Sequence, residues 1–280
     1  VAFVPATASA ASKKNKTYLS LGDSLAASYQ KQPDGTAFLS TTGYAEVLPA
    51  LVKKSFPGLK LDKSLACPGE NTTTFQQGGR ANCAAYANKA TSQLKAAVKY
   101  LRRNRGKVAF VTVSVGSNNF TPCTSAAAGG VDIACVAAGQ TQLEKDLPKI
   151  YKALRKAAGK KMPIAVLAPY DPYLAFWLKG GDTNYGLAEL SIGLAQQIRD
   201  AIALAAEKQK FVLADGLKAF ETQRYGERTA FNGISVPVPV ARICQWTFMC
   251  APAPVGPDIH ANDAGYRKLA ETFKKALKLK

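Results

Sequence analysis

The stretch YLSLGDSLAAS, Tyr18 to Ser28, runs strand-forming residues directly into Gly-Asp-Ser-Leu and then into small helix formers. It reads as a strand ending on a tight corner with Ser24 just beyond it. A serine there can be a helix cap, or it can be a nucleophile held out at the edge of a sheet. The rest of the sequence bears on which.

Outward from that corner, short apolar runs alternate with longer helical ones. Strands are expected over Thr17–Leu21, Leu59–Leu65, Lys107–Val115, Pro163–Ala168 and Phe211–Ala214. Lys107–Val115 is nearly all apolar or β-branched, as suits a central strand buried on both faces. Helices are expected over Ser24–Gln30, Tyr44–Ser55, Thr91–Asn104, Thr141–Ala158, Gly186–Gln209 and Ala264–Leu277. In the last, Tyr266, Leu269, Phe273 and Leu277 recur at helical spacing. This alternation predicts a parallel sheet wrapped by helices on both sides. Residues 66–86, 121–136 and 231–257 read as loops. Ligands of open α/β sheets bind beyond the carboxyl ends of the strands. Ser24, Gly69 and Gly116–Asn119 follow strands one, two and three, so they converge on one edge.

The chain has 280 residues, 47% of them hydrophobic, enough to bury a sizeable core. Residues 1–16 are set apart as a leader remnant and basic segment, and residues 17–280 as one domain. Lys and Arg number 37 against 19 Asp and Glu, a formal charge of +18. Such a charge favours acidic partners: an anionic membrane surface, acidic polysaccharide or nucleic acid. The lysines look scattered along the chain, which favours plain solubility. KKNK at 13–16 and LRRNR at 101–105 are the densest clusters. Neither zinc-finger spacing nor an aromatic-basic RNA motif accompanies them, so no nucleic acid partner is expected.

Six cysteines form three local couples, Cys67 with Cys83, Cys123 with Cys135 and Cys244 with Cys250. Sequential disulfides in an exported protein are expected, since short loops close at the smallest entropic cost. Metal ligation is the rival, weakened by the lack of C-x₂-C spacing and by a single histidine. VAFVPATASA reads as the tail of a signal peptide, with Ala8 and Ala10 in an A-x-A arrangement. No later stretch offers 18 uncharged apolar residues, so no membrane span is expected.

The single histidine, His260, stands in PDIHANDAGYRKLA just before the final helix, with Asp258 two residues ahead of it. A serine hydroxyl becomes a good nucleophile when a neighbouring base takes its proton, and histidine is the usual base at neutral pH. A carboxylate or carbonyl on the other ring nitrogen fixes the tautomer.

These residues together resemble the SGNH hydrolase superfamily, the GDSL esterases and lipases. Gly22-Asp23-Ser24-Leu25 matches the family's first block in full. Leu65–Phe75, LACPGENTTTF, resembles the second, with Gly69 as its glycine. Gly116-Ser117-Asn118-Asn119 resembles the third, with Asn119 in place of the usual Asp. Asp258-Ile259-His260 resembles the last, with the Asp one place closer to the His and Pro257 at its usual position. The resemblance implies a flavodoxin-like three-layer α/β/α fold around a five-stranded parallel sheet. It implies Ser24 as nucleophile and His260 as base, and an oxyanion hole from the Ser24 and Gly69 N–H groups and the Asn118 side chain. Asp258 is the preferred partner of His260, and a main-chain carbonyl from 254–257 is the alternative. The three cysteine couples further resemble secreted actinobacterial-type members.

The glycine at 69 fits its implied role because a missing Cβ lets substrate approach the main chain. An ordinary turn glycine, and a helix-capping Asn118, are the competing readings. The expected activity is hydrolysis of acyl lipids or short-chain esters by a secreted monomer. O-acetyl polysaccharide deacetylation and an inactive cationic surface-binding protein are the alternatives. Tyr170, Tyr173, Phe176 and Trp177 follow strand four on the same edge and could line an acyl or glycan pocket or simply pack. The sequence implies no metal or organic cofactor.

Overall fold

The computed structural model describes residues 16–125 and 130–280. The segment expected to be a signal-peptide remnant, with Ala8 and Ala10, lies outside the described residues. From the first strand the order is β1 (Thr17–Gly22), β2 (Tyr29–Lys31), β3 (Ala37–Leu39), α1 (Tyr44–Leu51), β4 (Lys60–Asp62), α2 (Thr72–Gln77), α3 (Gln93–Arg103) and β5 (Val108–Ser114). Two short strands follow, β6 (Thr124–Ser125) and β7 (Gly130–Val131), then α4 (Ile133–Ala158), β8 (Ile164–Ala168), α5 (Asp182–Lys208), β9 (Val212–Asp215) and α6 (Gly216–Ala219). A hairpin of β10 (Arg228–Phe231) and β11 (Ile234–Pro237) leads to α7 (Val238–Trp246), β12 (Thr247–Phe248), β13 (Asp258–Ala261) and α8 (Asp263–Ala276).

Five strands form one parallel sheet in the order β4-β1-β5-β8-β9. Strand order reverses between β1 and β5. In sheets of this kind, that switch point opens a crevice beyond the strand ends. Alternation along the strands divides the core in two. Tyr18, Phe110, Ala165 and Leu167 pack under α1, α7 and α8. Leu19, Leu21, Val111, Val113 and Val166 face α3, α4 and α5. The fold is thus the expected three-layer α/β/α sandwich.

The strands fall where the apolar runs put them, but several expectations change, and the stretch 66–86, read as a loop, holds α2. The helix expected over Ser24–Gln30 is a single turn. Ala27 N–H donates to the Asp23 carbonyl and Tyr29 N–H to that of Ser24, and Ser28 ends the turn in the left-handed region at φ +66°. The chain then leaves as the β2–β3 hairpin. Helix α4 begins eight residues before the expected Thr141, because Asp132 caps it through the Cys135 N–H. The stretch 231–257 is not one loop: it holds β11, α7 and β12, with Cys244 and Cys250 joined beside the α7 end.

All three cysteine couples are disulfides in the sequential pairing: Cys67–Cys83, Cys123–Cys135 and Cys244–Cys250. Cys67 and Cys83 close a loop of 16 positions that carries the segment beside β1. Replacing both by alanine should lower stability by about 3 kcal/mol through the freed unfolded chain. Urea unfolding of the double variant measures this.

Candidate active site

Gly22 ends β1 at φ +129°, and a Cβ there would lie 1.8 Å from the Ser114 carbonyl oxygen. No side chain fits at this corner. Its peptide groups are bound from two directions. Gly22 N–H donates to Gln93 Oε1 at 2.6 Å, and Gly22 C=O accepts from Gln93 Nε2 at 3.0 Å and from Cys67 N–H at 2.9 Å. Asp23 N–H donates to the Ser114 carbonyl at 2.8 Å. The next residue, Ser24, therefore stands at the carboxyl edge of the sheet, 9% exposed.

His260 arrives on β13, which pairs antiparallel with β12. Tyr170, just beyond β8, donates its hydroxyl to the Ile259 carbonyl at 2.7 Å. Asn262 caps α8 through the Gly265 N–H and donates its amide to Gln245 C=O. So fixed, His260 Nε2 lies 2.8 Å from Ser24 Oγ. On the other side of the ring, Nδ1 lies 2.6 Å from Asp258 Oδ1, which also accepts the His260 main-chain N–H at 2.8 Å. One carboxylate oxygen thus grips both the ring and the backbone of the histidine. The alternative orienting carbonyl from 254–257 makes no hydrogen bond to the ring among the described residues.

Burial would raise the Asp258 carboxyl. The imidazole's hydrogen bond and charge, the main-chain N–H and the nearby Lys31 outweigh burial and hold it below the usual range. Lys31 Nζ lies 3.7 Å from Asp258 Oδ2, and the Tyr29 ring packs on the imidazole with centroids 4.3 Å apart. Both come from the β2–β3 hairpin, which Gln30 and Thr42 also tie to Asp263 at the start of α8. The sequence reading missed these two residues. Their only signal was nearness in sequence to Ser24, and a helix was expected where the hairpin stands.

Asn118 sits on the turn after β5 and lines the same cleft as Ser24 and His260. Its Nδ2 donates to the Glu70 carbonyl at 3.0 Å, leaving a second amide hydrogen. Asn119, the departure from the family pattern, bonds the Thr72 N–H and hydroxyl and so secures the start of α2. Among the described residues, no acceptor binds the N–H of Ser24 or of Gly69. The backbone at Gly69 itself calls for glycine. The Arg80 guanidinium fills the space a Cβ would take, and φ is +78°. Arg80 is held there by Asn82, which also bonds the Pro68 carbonyl.

The cleft leading from Ser24 is walled by Leu25, Phe120, Pro172, Phe176, Leu190 and Leu194, with more apolar side chains of α5 behind them. Tyr170, Tyr173 and Phe176 line it, whereas Trp177 packs on Tyr185 outside the lining.

Two buried carboxyls border this cleft. Asp23 accepts from Ser114 Oγ and the Leu25 N–H, and burial pushes its pKa up to about 7 against those bonds. Asp171 accepts from Ser191 Oγ and the Tyr173 N–H, and burial takes it to about 6. Each binds its proton more tightly folded than unfolded. Between about pH 4 and pH 7 the unfolded chain ionises first, so both carboxyls make stability fall as pH rises through that window. Asp23→Asn should flatten the upper part of this slope, read as ΔG of unfolding from pH 4 to pH 8.

Compared with known proteins, residues 20–268 match the model of the GDSL-like lipase/acylhydrolase family. No curated protein matches the chain. Solved structures of the same fold include a variant of an acetyl-xylooligosaccharide esterase from Geobacillus stearothermophilus, at 14% identity and a TM-score of 0.54, with 95% of this chain and 96% of that one covered. An extracellular lipase from Streptomyces rimosus aligns at 17% identity and a TM-score of 0.51, covering 93% of this chain and 99% of that one. The match spans the Ser24 corner through the Asp258–His260 strand, and the chain belongs to the GDSL-like lipase/acylhydrolase family of carboxylic ester hydrolases.

Proposed function

We propose that this hydrolase cleaves esters of apolar acyl chains through a covalent acyl-enzyme on Ser24. The observation that carries the reading is the unbroken line from Ser24 Oγ through the His260 ring to Asp258, at 2.8 and 2.6 Å. Ser24 Oγ attacks the ester carbonyl carbon as its proton passes to His260 Nε2. Asp258 holds Nδ1–H and stabilises the imidazolium. The oxyanion is met by the N–H groups of Ser24 and Gly69 and by the Asn118 amide, donors already in place before charge develops. His260 then protonates the departing alcohol. Water repeats the sequence on the acyl-enzyme and restores the serine.

The walls of the cleft favour the acyl chain of a lipid or fatty ester over a sugar. A carbohydrate site needs hydrogen-bonding side chains for ring hydroxyls, and this lining is mostly leucine, isoleucine, valine, proline and aromatic residues. We assign the protein to an exported setting on the strength of its three disulfides, which persist in oxidising compartments. Among the described residues, no helix is long and apolar enough to cross a membrane.

Ser24→Ala should cut kcat by several powers of ten and abolish labelling by a fluorophosphonate, which needs an activated serine. Asn118→Ala should lower kcat by about 10²–10³ with little change in KM. Across p-nitrophenyl acetate, butyrate and octanoate, kcat/KM should rise by up to roughly fourfold per added methylene while the cleft still buries it. A preference for acetate and acetylated xylan over the longer esters would overturn the acyl-chain assignment.

A further inference from the structure

The basic residues that look scattered in sequence are gathered in space. In this fold the helices α1, α3, α4 and α5 run back along the sheet, so their ends meet strand starts at the edge opposite Ser24. The segments at that edge are Lys16 and residues 52–60, 101–107, 155–163, 207–211 and 274–280. Main-chain and side-chain bonds join them. Lys60 N–H donates to the Lys16 carbonyl and Thr17 N–H to that of Lys107. Arg155 reaches the carbonyls of Gln209 and Lys210, and Ser55 bonds Lys280. Eighteen of the 37 lysines and arginines lie in these segments, against one of the 19 acidic residues, Glu207. The rest of the described chain carries 17 basic and 18 acidic residues. The net charge of the protein is therefore the charge of one edge.

Helix C-termini attract cations, and five helices end here, but each contributes only about half a negative charge. That offsets a small part of the excess. Among the described residues none of the eighteen forms an ion pair, and all are exposed or half-buried. Parallel strands lie about 4.8 Å apart, so Lys60, Lys16, Lys107, Lys160 and Lys210 make a row roughly 20 Å long across the five strand starts.

We propose that this edge is a docking surface for an anionic polysaccharide, leaving the ester-cleaving cleft on the far side open to solution. The segments present no exposed large apolar side chain of the kind that inserts among lipid headgroups. Docking on a bilayer would also turn Ser24 away from it. Single-stranded nucleic acid is gripped by aromatic platforms, and the edge has none exposed. A row of cations spaced along a shallow edge fits a linear polymer with regularly repeated negative groups.

The test compares two variants of equal net charge by titration with heparin at about 150 mM salt. Lys60→Glu with Lys107→Glu, Lys160→Glu and Lys210→Glu reverses the edge. Lys95→Glu with Lys145→Glu, Lys149→Glu and Lys218→Glu reverses exposed lysines elsewhere. The edge variant should bind on the order of 100-fold more weakly than the parent, and the control should change little. Equal losses in both would reduce the effect to net charge and overturn the proposal. Tighter binding of the parent to phosphatidylglycerol vesicles or duplex DNA than to heparin would overturn the choice of partner. Both variants should keep parental hydrolysis of p-nitrophenyl butyrate, which reports folding and separates this inference from the assignment of the cleft. On the unaltered protein, heparin should shield Lys60, Lys107, Lys160 and Lys210 from acetylation more than the control lysines. Uniform shielding would count against the edge even where a variant fails to fold.

Discussion

The corner at Gly22 is the constraint on which the site depends. Its main chain turns at a φ that a side chain would block, directly against the Ser114 carbonyl. Gln93, wholly buried, bonds both peptide groups of that one residue. An amide side chain can donate and accept at once, so one glutamine from α3 anchors the end of β1. Asp23 then ties the corner to β5 through Ser114. Ser24 inherits a fixed position from these bonds, with its Oγ 2.8 Å from His260 Nε2.

His260 is brought in by a second set of contacts. The β12–β13 ribbon, the Tyr170 hydroxyl and the capped start of α8 set where His260 stands. The β2–β3 hairpin then joins the two halves. It leaves from the Ser24 turn, lays Tyr29 on the imidazole and brings Lys31 to Asp258. Tyr266 donates to the Tyr29 carbonyl from α8, so the segment after Ser24 is bonded to the helix after His260. Residues 236 positions apart thereby share one rigid frame.

The two edges of the sheet divide the work chemically. At the carboxyl edge, loops of varied length carry Ser24, His260, the candidate oxyanion donors and an apolar cleft. At the amino edge, short connections carry eighteen cations against one acidic residue. The division follows from topology. Parallel strands joined by helices place all strand ends on one side and all helix ends on the other, so a sequence bias at helix-to-strand connections becomes a charged edge.

Much of this was legible before folding. The run from Tyr18 to Leu25 marked strand and corner, and Lys107–Val115 marked the central strand, because local apolar pattern and glycine placement are properties of adjacent residues. The family blocks supplied Ser24, Gly69, Asn118 and His260 as candidates, and sequential cysteine pairing followed from short separations. The rest needed the third dimension. The helix expected after Ser24 gave way to a hairpin because Tyr29 and Lys31 find partners on β13, and the Arg80 guanidinium lies against Gly69 from eleven positions away. Whether Asp258 reaches His260, one place from its usual spacing, depended on the path of β13. The lysines form an edge only once the connections are stacked. Local pattern fixes which element a residue joins, whereas contacts between distant segments depend on how the elements pack, and that was settled only by the tertiary structure.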